Sequence, residues 1–341
     1  MSATIRSPAA LIAAGLAPEP QRPALDAVAA RYAIAIPPTL AALIASPDDP
    51  IARQFVPHPD ELRHAPHEHP DPIGDDALSP LKGIVHRYQD RALLKPLLAC
   101  PVYCRFCFRR EHVGPDGGLL SRAELAAALA WLAAHPEIRE VILTGGDPLM
   151  LSPARLGALL AALDAIPHLE TLRIHTRLPL ATPERITPAL LAALETTTPL
   201  WLVLHANHAR EFTRPGRAAL DRLRRAGLPL LGQSVLLAGV NDSPEALEAL
   251  LRAMLAARVK PYYLHQLDPA PGTARFHVPI ARGQALLRAL RGRVTGLAWP
   301  TYVLDIPGGA GKVPIGPDYL GPGNTVRDPA GHPHQLESDA P

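Results

Sequence analysis

From residue 93 onward, short apolar runs alternate with longer stretches whose apolar residues recur at helical spacing. The runs at 93–98, 140–143, 171–175, 200–204, 228–236, 261–266 and 301–306 predict strands. Between them, the stretches 121–134, 153–165, 188–195, 217–226, 244–257 and 281–291 predict helices. Repetition of strand, helix and strand on this scale predicts an α/β fold of parallel βα units closed or partly closed into a barrel. Polar residues fall at or just after the ends of successive runs: Cys100, Thr144-Gly145-Gly146-Asp147, His175, His205, Gln233, Asp268 and Asp305. In a parallel barrel those ends meet on one face, where the active sites of such folds are built. A lone His or Gln at a strand end is ordinarily a satisfied structural residue. Recurrence at equivalent positions points instead to a shared site.

Length and composition bound this picture loosely. The 341 residues suit one large barrel with an N-terminal extension, or two ordinary domains. Residues 1–85 are expected to form a helical extension, of which about the first 45, with helical patterning at 24–30 but no motif, are expected to serve in packing or as a lid. Residues 86–320 are expected to hold the barrel, and 321–341, rich in Pro, Gly and His, a flexible tail. The 40 prolines exceed the usual share of about 5%, but they fall mostly between periodic segments, as in Thr187-Pro188 and Ser243-Pro244, where they start helices. A net charge of +2 gives no reason to expect a nucleic-acid partner. No apolar run reaches the ~20 residues that a membrane span needs, and the run 9–16 lacks the charged start and length of a signal peptide. Three clustered cysteines make no disulfide framework, so a soluble protein of the reducing cytoplasm is expected.

Those cysteines, Cys100, Cys104 and Cys107, form a C-x3-C-x2-C triad directly after an apolar run. Three thiolates on one tight loop can hold three irons of a 4Fe-4S cluster and leave the fourth iron open to a small molecule. A structural zinc site made by the three thiolates with His112 is the competing arrangement, although a second C-x2-C knuckle is missing. Two further stretches carry chemistry. The turn Thr144-Gly145-Gly146-Asp147 combines glycines, which allow close backbone approach and positive φ, with an acid able to accept from an amino group. Near the C-terminus, a glycine run from Gly308 to Gly311 delivers Lys312, as a Schiff-base site for a carbonyl cofactor requires. The spacing does not make a Walker motif, because no Ser or Thr follows Lys312. Upstream, Arg87, Tyr88 and Arg91 offer two cations and a phenol about one turn apart, and arginine forks suit a phosphate.

Taken together, the motifs HRYQDR, CFRR, TGGDPL, GQSVLLAGVND, KPYYLHQLD and VLDIPGGAGK resemble the lysine 2,3-aminomutase family over roughly residues 45–320. Members are radical S-adenosylmethionine (SAM) enzymes that also use pyridoxal 5′-phosphate (PLP). The resemblance implies a partial (β/α) radical SAM barrel, with the cluster on Cys100, Cys104 and Cys107. It implies SAM and PLP contacts from Gly145, Gly146, Asp147, His175, His205 and Gln233. Lys312 becomes the PLP lysine, and Arg87, Tyr88, Arg91 and His265 become its neighbours. Arg109 takes the position for the substrate carboxylate, and Asp268 and Asp305 match the acids that receive the distal ammonium of L-lysine. That ammonium needs carboxylates if it is to leave water. The implied reaction is amino migration from the α- to the β-carbon, started by a 5′-deoxyadenosyl radical cut from SAM by one electron from a donor such as flavodoxin or ferredoxin.

Within the family, the stretches RIHTRLPL and YYLH look like the branch that supplies β-lysine for modifying elongation factor P, whereas PGGAGK looks like the catabolic branch. The catabolic type binds zinc at a subunit interface through additional cysteines, which this chain lacks. We expect the translation-factor role. The alternatives are an aminomutase for another cationic amino acid such as arginine, and a non-catalytic zinc-binding module. Whether the chain forms a homo-oligomer is left open by the sequence.

Overall fold

The computed structural model describes residues 3–336. A hairpin of β1 (Ile84–Tyr88) and β2 (Arg91–Leu97) opens the sheet. It continues with β3 (Glu140–Gly145), β4 (Thr171–Thr176), β5 (Leu200–His205), β6 (Leu230–Val235), β7 (Lys260–His265) and β8 (Thr301–Ile306), each parallel to the one before. A last strand, β9 (Gly311–Pro314), returns antiparallel to β8. Strand order in the sheet equals chain order. No ladder joins β1 to β9, but the Lys312 N–H on β9 donates to Tyr88 Oη at the end of β1, 2.7 Å away. The result is a nearly closed, partial (β/α) barrel.

Four short helices precede the sheet: α1 (Pro8–Ala13), α2 (Arg22–Ala29), α3 (Pro38–Ala41) and α4 (Pro50–Phe55). The connections between parallel strands carry α5 (Arg122–Ala133), α6 (Pro153–Asp164), α7 (Leu178–Ala181), α8 (Pro188–Ala193), α9 (Arg214–Arg225), α10 (Pro244–Ala256) and α11 (Ile280–Leu290). Several start as the sequence suggests. Ser152, Thr187 and Ser243 each accept a backbone N–H of the first turn, with Pro153, Pro188 and Pro244 at the first helical position. Alternation along β2 sends Ala92 and Leu94 into the outer core against Ala128 and Leu132 of α5, so Arg91, Leu93 and Lys95 face the barrel interior. Residues 320–335, within and beside the expected tail, form a small antiparallel sheet of β10 (Leu320–Gly321), β11 (Thr325–Arg327) and β12 (Pro333–Gln335). The rest of that expected tail, 337–341, lies outside the described residues.

The N-terminal segment packs its own core, in which Leu11, Leu25, Ile51 and Phe55 meet Val102 of the cysteine loop. Its polar residues do more. Glu61, wholly buried, receives Arg105 Nε on both carboxylate oxygens, at 3.0 and 2.9 Å, and pairs with Arg110. Arg105 also donates to Ala33 O at 2.6 Å, and the Arg105 N–H to Gln54 O at 2.8 Å. Arg105 and Arg110 flank Cys107, so a carboxylate from the extension fixes the loop that carries the cysteines. Replacing Glu61 by Ala leaves two buried guanidiniums without their anion. This change is expected to cost about 3–5 kcal/mol of stability, read as a lowered midpoint in chemical denaturation.

Candidate active site

Cys100, Cys104 and Cys107 lie on the loop that leaves β2. Burial pushes all three thiols above their ordinary range, Cys107 to about 11. Cations oppose that rise: Arg177 Nη1 donates to Cys104 Sγ at 3.2 Å, and Arg109 and Arg110 act on Cys107. The other end of Arg177 is held by Glu211 at 2.9 Å and Gln54 at 3.2 Å. Phe106, between two cysteines, stacks on His205 with ring centroids 5.7 Å apart. Among the described residues, no three Cys, His, Asp or Glu side chains close round a single ion. The donor set of three thiols beside buried cations fits an anionic iron-sulfur cluster.

The glycine turn behaves differently from its expectation. Gly145 has φ +98°, and a Cβ on Gly146 would stand 2.2 Å from Ala99 O. These glycines thus let the end of β3 lie against the backbone of the cysteine loop, and Gly146 N–H and Asp147 N–H donate to Leu97 O and Ala99 O, both at 2.9 Å. Asp147 was expected to accept from the amino group of SAM, but both its oxygens are already engaged. They receive Leu149 N–H, Thr176 Oγ1, Arg177 N–H and Leu178 N–H at 2.8–3.1 Å. The carboxylate instead ties the turn to the end of β4.

Inside the barrel the structure brings most of the expected residues together. Lys312 sits on β9 in register with Asp305 on β8, not on a free loop, and its ammonium pairs with Asp305 and lies 3.2 Å from His265 Nδ1. Burial alone would raise Asp305, but His265 and Lys312 hold it well below the usual carboxylate range. Asp268 is pushed the other way, up to about 7, by burial and by the charge of Asp305, and its Oδ1 has no hydrogen-bond partner. Burial keeps His175 and His205 neutral, His175 further through Arg173 and His205 through Arg177; both have an unpartnered Nε2. Gln233 lies 3.5 Å from His175 Nδ1.

Arg87, Tyr88 and Arg91 are not spaced along a helical turn. They belong to the β1–β2 hairpin, where Tyr88 pairs across from Arg91 and the Arg91 guanidinium lies 3.8 Å from the centroid of the Tyr88 ring. Arg87 reaches Asp305 Oδ1 at 3.5 Å and Asp75 Oδ1 at 3.2 Å, with its Nε unpartnered. Arg109 places both Nε (2.8 Å) and Nη2 (2.7 Å) on Asp75 Oδ2. Asp75, which joins the two arginines, was not picked out from the sequence. It lies in an aperiodic stretch rich in His, Pro and Asp, where no spacing marks one acid among several.

Comparison with known proteins sets the class first. The family model described as the Radical SAM superfamily matches residues 94–251, from β2 into α10, which makes this a radical SAM protein. A second model, Lysine-2,3-aminomutase, matches residues 287–324. The chain is 40% identical over 277 residues to L-lysine 2,3-aminomutase of Acetoanaerobium sticklandii, covering 81% of this chain and 67% of that protein. Against L-lysine 2,3-aminomutase of Clostridium subterminale the identity is 39% over 80% of this chain and 66% of that one. Against glutamate 2,3-aminomutase of Clostridioides difficile it is 34%, over 86% and 70%. The chain belongs to the lysine 2,3-aminomutase family, and it spans about two thirds of the length of the first two of these relatives. Among solved structures it is similar to a radical SAM methyltransferase from Sphaerobacter thermophilus, at TM-score 0.48 and 21% identity, covering 65% of this chain and 68% of that one. No helix among the described residues is long and apolar enough to cross a membrane.

The raised Asp268 carries a sign for stability. Its contribution is complete below the ordinary carboxylate range near 3.8 and is lost as pH rises through about 7. Asn at 268 cannot ionise, so the stability advantage of D268N over the wild type is expected to grow between about pH 4 and 7 and then level off. Thermal midpoints measured across that range check it.

Proposed function

We propose that this protein is an L-lysine 2,3-aminomutase, moving the α-amino group of L-lysine to the β-carbon with a 4Fe-4S cluster, SAM and PLP. The carrying observation is the division of charge inside the barrel. The Lys312 amine pairs with Asp305, while the buried Oδ1 of Asp268 beside them is left without a donor. A second ammonium entering next to Asp268 supplies that donor and draws its proton off, since a carboxyl near pKa 7 ionises readily beside a cation. A glutamate side chain would bring a third carboxylate to the same place, so the acid pair favours a cationic substrate over the one named for the glutamate relative.

When bound, the cluster supplies the electron that opens SAM to a carbon radical, and PLP supplies the carbonyl that holds the migrating amine. The chain's residues position and exclude. Cys100, Cys104 and Cys107 would hold the cluster, with Arg177 beside Cys104 tempering its charge. The 144–146 backbone would face SAM. Lys312 would hold PLP, with Tyr88 and Arg91 at the β1–β2 hairpin placed for its phosphate and His265 beside the amine. The unpartnered Arg87 Nε leaves a donor for these ligands, and the Nε2 atoms of His175 and His205 leave further hydrogen-bonding positions. The barrel wall keeps water from quenching a carbon radical. A small electron-transfer protein such as flavodoxin or ferredoxin would reduce the cluster.

Arginine is the second reading, because its guanidinium also answers two acids. Anaerobic turnover by protein reconstituted with iron, sulfide, SAM, PLP and a strong reductant decides between them. We expect β-lysine from L-lysine, at least several-fold less β-arginine from L-arginine, and no product from Lys312→Ala. Arginine turnover without lysine turnover would move the assignment. For the product's use we propose modification of elongation factor P, on the RIHTRLPL and YYLH stretches. In a host without a second aminomutase, deleting the gene is then expected to lower the factor's mass by one β-lysyl group.

A further inference from the structure

We propose that Lys95 is a second cation of the substrate-carboxylate site, acting beside Arg109. The inference rests on the function proposed above. Its starting point is how little of Arg109 is free. Two of its three nitrogens are turned onto Asp75, and only Nη1 remains, 3.5 Å from Thr144 Oγ1. A carboxylate arriving there meets one N–H edge, not the bidentate fork that a guanidinium ordinarily offers. A second donor is needed, and the interior face of β2 provides it.

Lys95 projects into the barrel from β2 and lines, with Asp75, Phe108, Arg109 and His112, a cavity of about 310 Å3 beneath the 70–83 segment. Gly145, opposite, has no Cβ, and a Cβ there would come within 3.0 Å of Lys95 Cβ. Among the described residues no carboxylate stands within 4.0 Å of the Lys95 ammonium, and no hydrogen bond engages it. Of the nearby acids, Asp75 has its oxygens taken by Arg87 and Arg109, and Asp71 accepts the backbone N–H groups of Asp75 and Asp76. Asp71 and Asp76 also line the cavity, yet burial together with Arg109 still pulls the Lys95 amine below its ordinary range. Two adjacent cations in a partly desolvated cavity, with Asp75 shared between them and Arg87, are left under-compensated until a further anion arrives. An amino-acid carboxylate is that anion: one oxygen on Arg109 Nη1, the other on Lys95 Nζ.

Lys95→Met keeps the length of the side chain and removes the charge, and Lys95→Arg restores it. For the amino acid that the wild type turns over, K95M is expected to raise KM about tenfold, the effect of one charge-assisted hydrogen bond, with kcat little changed and K95R recovering most of the loss. Calorimetric affinity for 1,5-diaminopentane, which has both amines and no carboxylate, is expected to be the same in wild type and K95M. The inference is overturned if K95M weakens 1,5-diaminopentane and L-lysine alike, if KM for SAM rises in place of KM for the amino acid, or if neither changes. Where K95M does not fold, K95Q carries the same comparison. A wild type that binds neither lysine nor arginine defeats the proposed function as well, whereas binding that K95M leaves untouched defeats only the role of Lys95.

Discussion

The carboxylate of Glu61 organises the mouth of this barrel. It is fully buried, faces Arg105 and Arg110 from the cysteine loop, and has Arg275 a further 3.8 Å away. Charges so placed are costly to desolvate, and a buried ion cluster is weak evidence for net stability. Its consequence is geometric. Arg105 and Arg110 bracket Cys107 in sequence, and wherever the guanidiniums are pinned, the thiols follow. Glu61 is itself held by the His58 N–H at 2.7 Å and packed so tightly against Gly272 that a Cβ there would lie 2.2 Å from Glu61 O.

The same segment repeats the device. Glu68 accepts the N–H groups of Gly272, Thr273 and Ala274 at 2.9–3.1 Å, gathering the loop after β7. Asp75 draws Arg87 and Arg109 together, and Gly74 passes so close to Gly308 that a Cβ would stand 2.8 Å from its carbonyl carbon. Three acids from one aperiodic stretch thereby reach the cysteine loop, the loop after β7 and the arginines near Lys312. Each has a cationic or N–H partner contributed by the barrel, so the stretch closes over the mouth by charge as much as by apolar contact.

Within the mouth, environment separates two chemically identical side chains. Asp305, beside Lys312 and His265, stays ionised, while Asp268, buried with that negative charge nearby, is pushed up to about 7. One acid is a permanent counter-ion, and the other is free to answer an incoming cation. Neutral His175 and His205 add polar surface without adding charge to an interior already crowded with cations.

Much of this was written locally. The apolar runs at 140–143, 171–175 and 301–306 became β3, β4 and β8, and the helical stretches 121–134 and 244–257 became α5 and α10 within one or two residues at each end. The cysteine triad and the strand-end His175, His205 and Asp305 were equally legible, because strand period and motif spacing are properties of neighbouring residues. Tertiary structure decided the rest. Asp147 turned inward because four donors from β4 and its own turn surround it. Lys312 became part of a strand because Asp305 pairs with it across the β8–β9 ladder. Glu61, Asp75 and Lys95 gained their roles from partners 12 or more residues away or from a cavity assembled by separate segments. Periodicity and motif spacing are local quantities that the sequence by itself determines. The state of a buried charge depends on which distant groups surround it, and only the closed barrel brings those groups together.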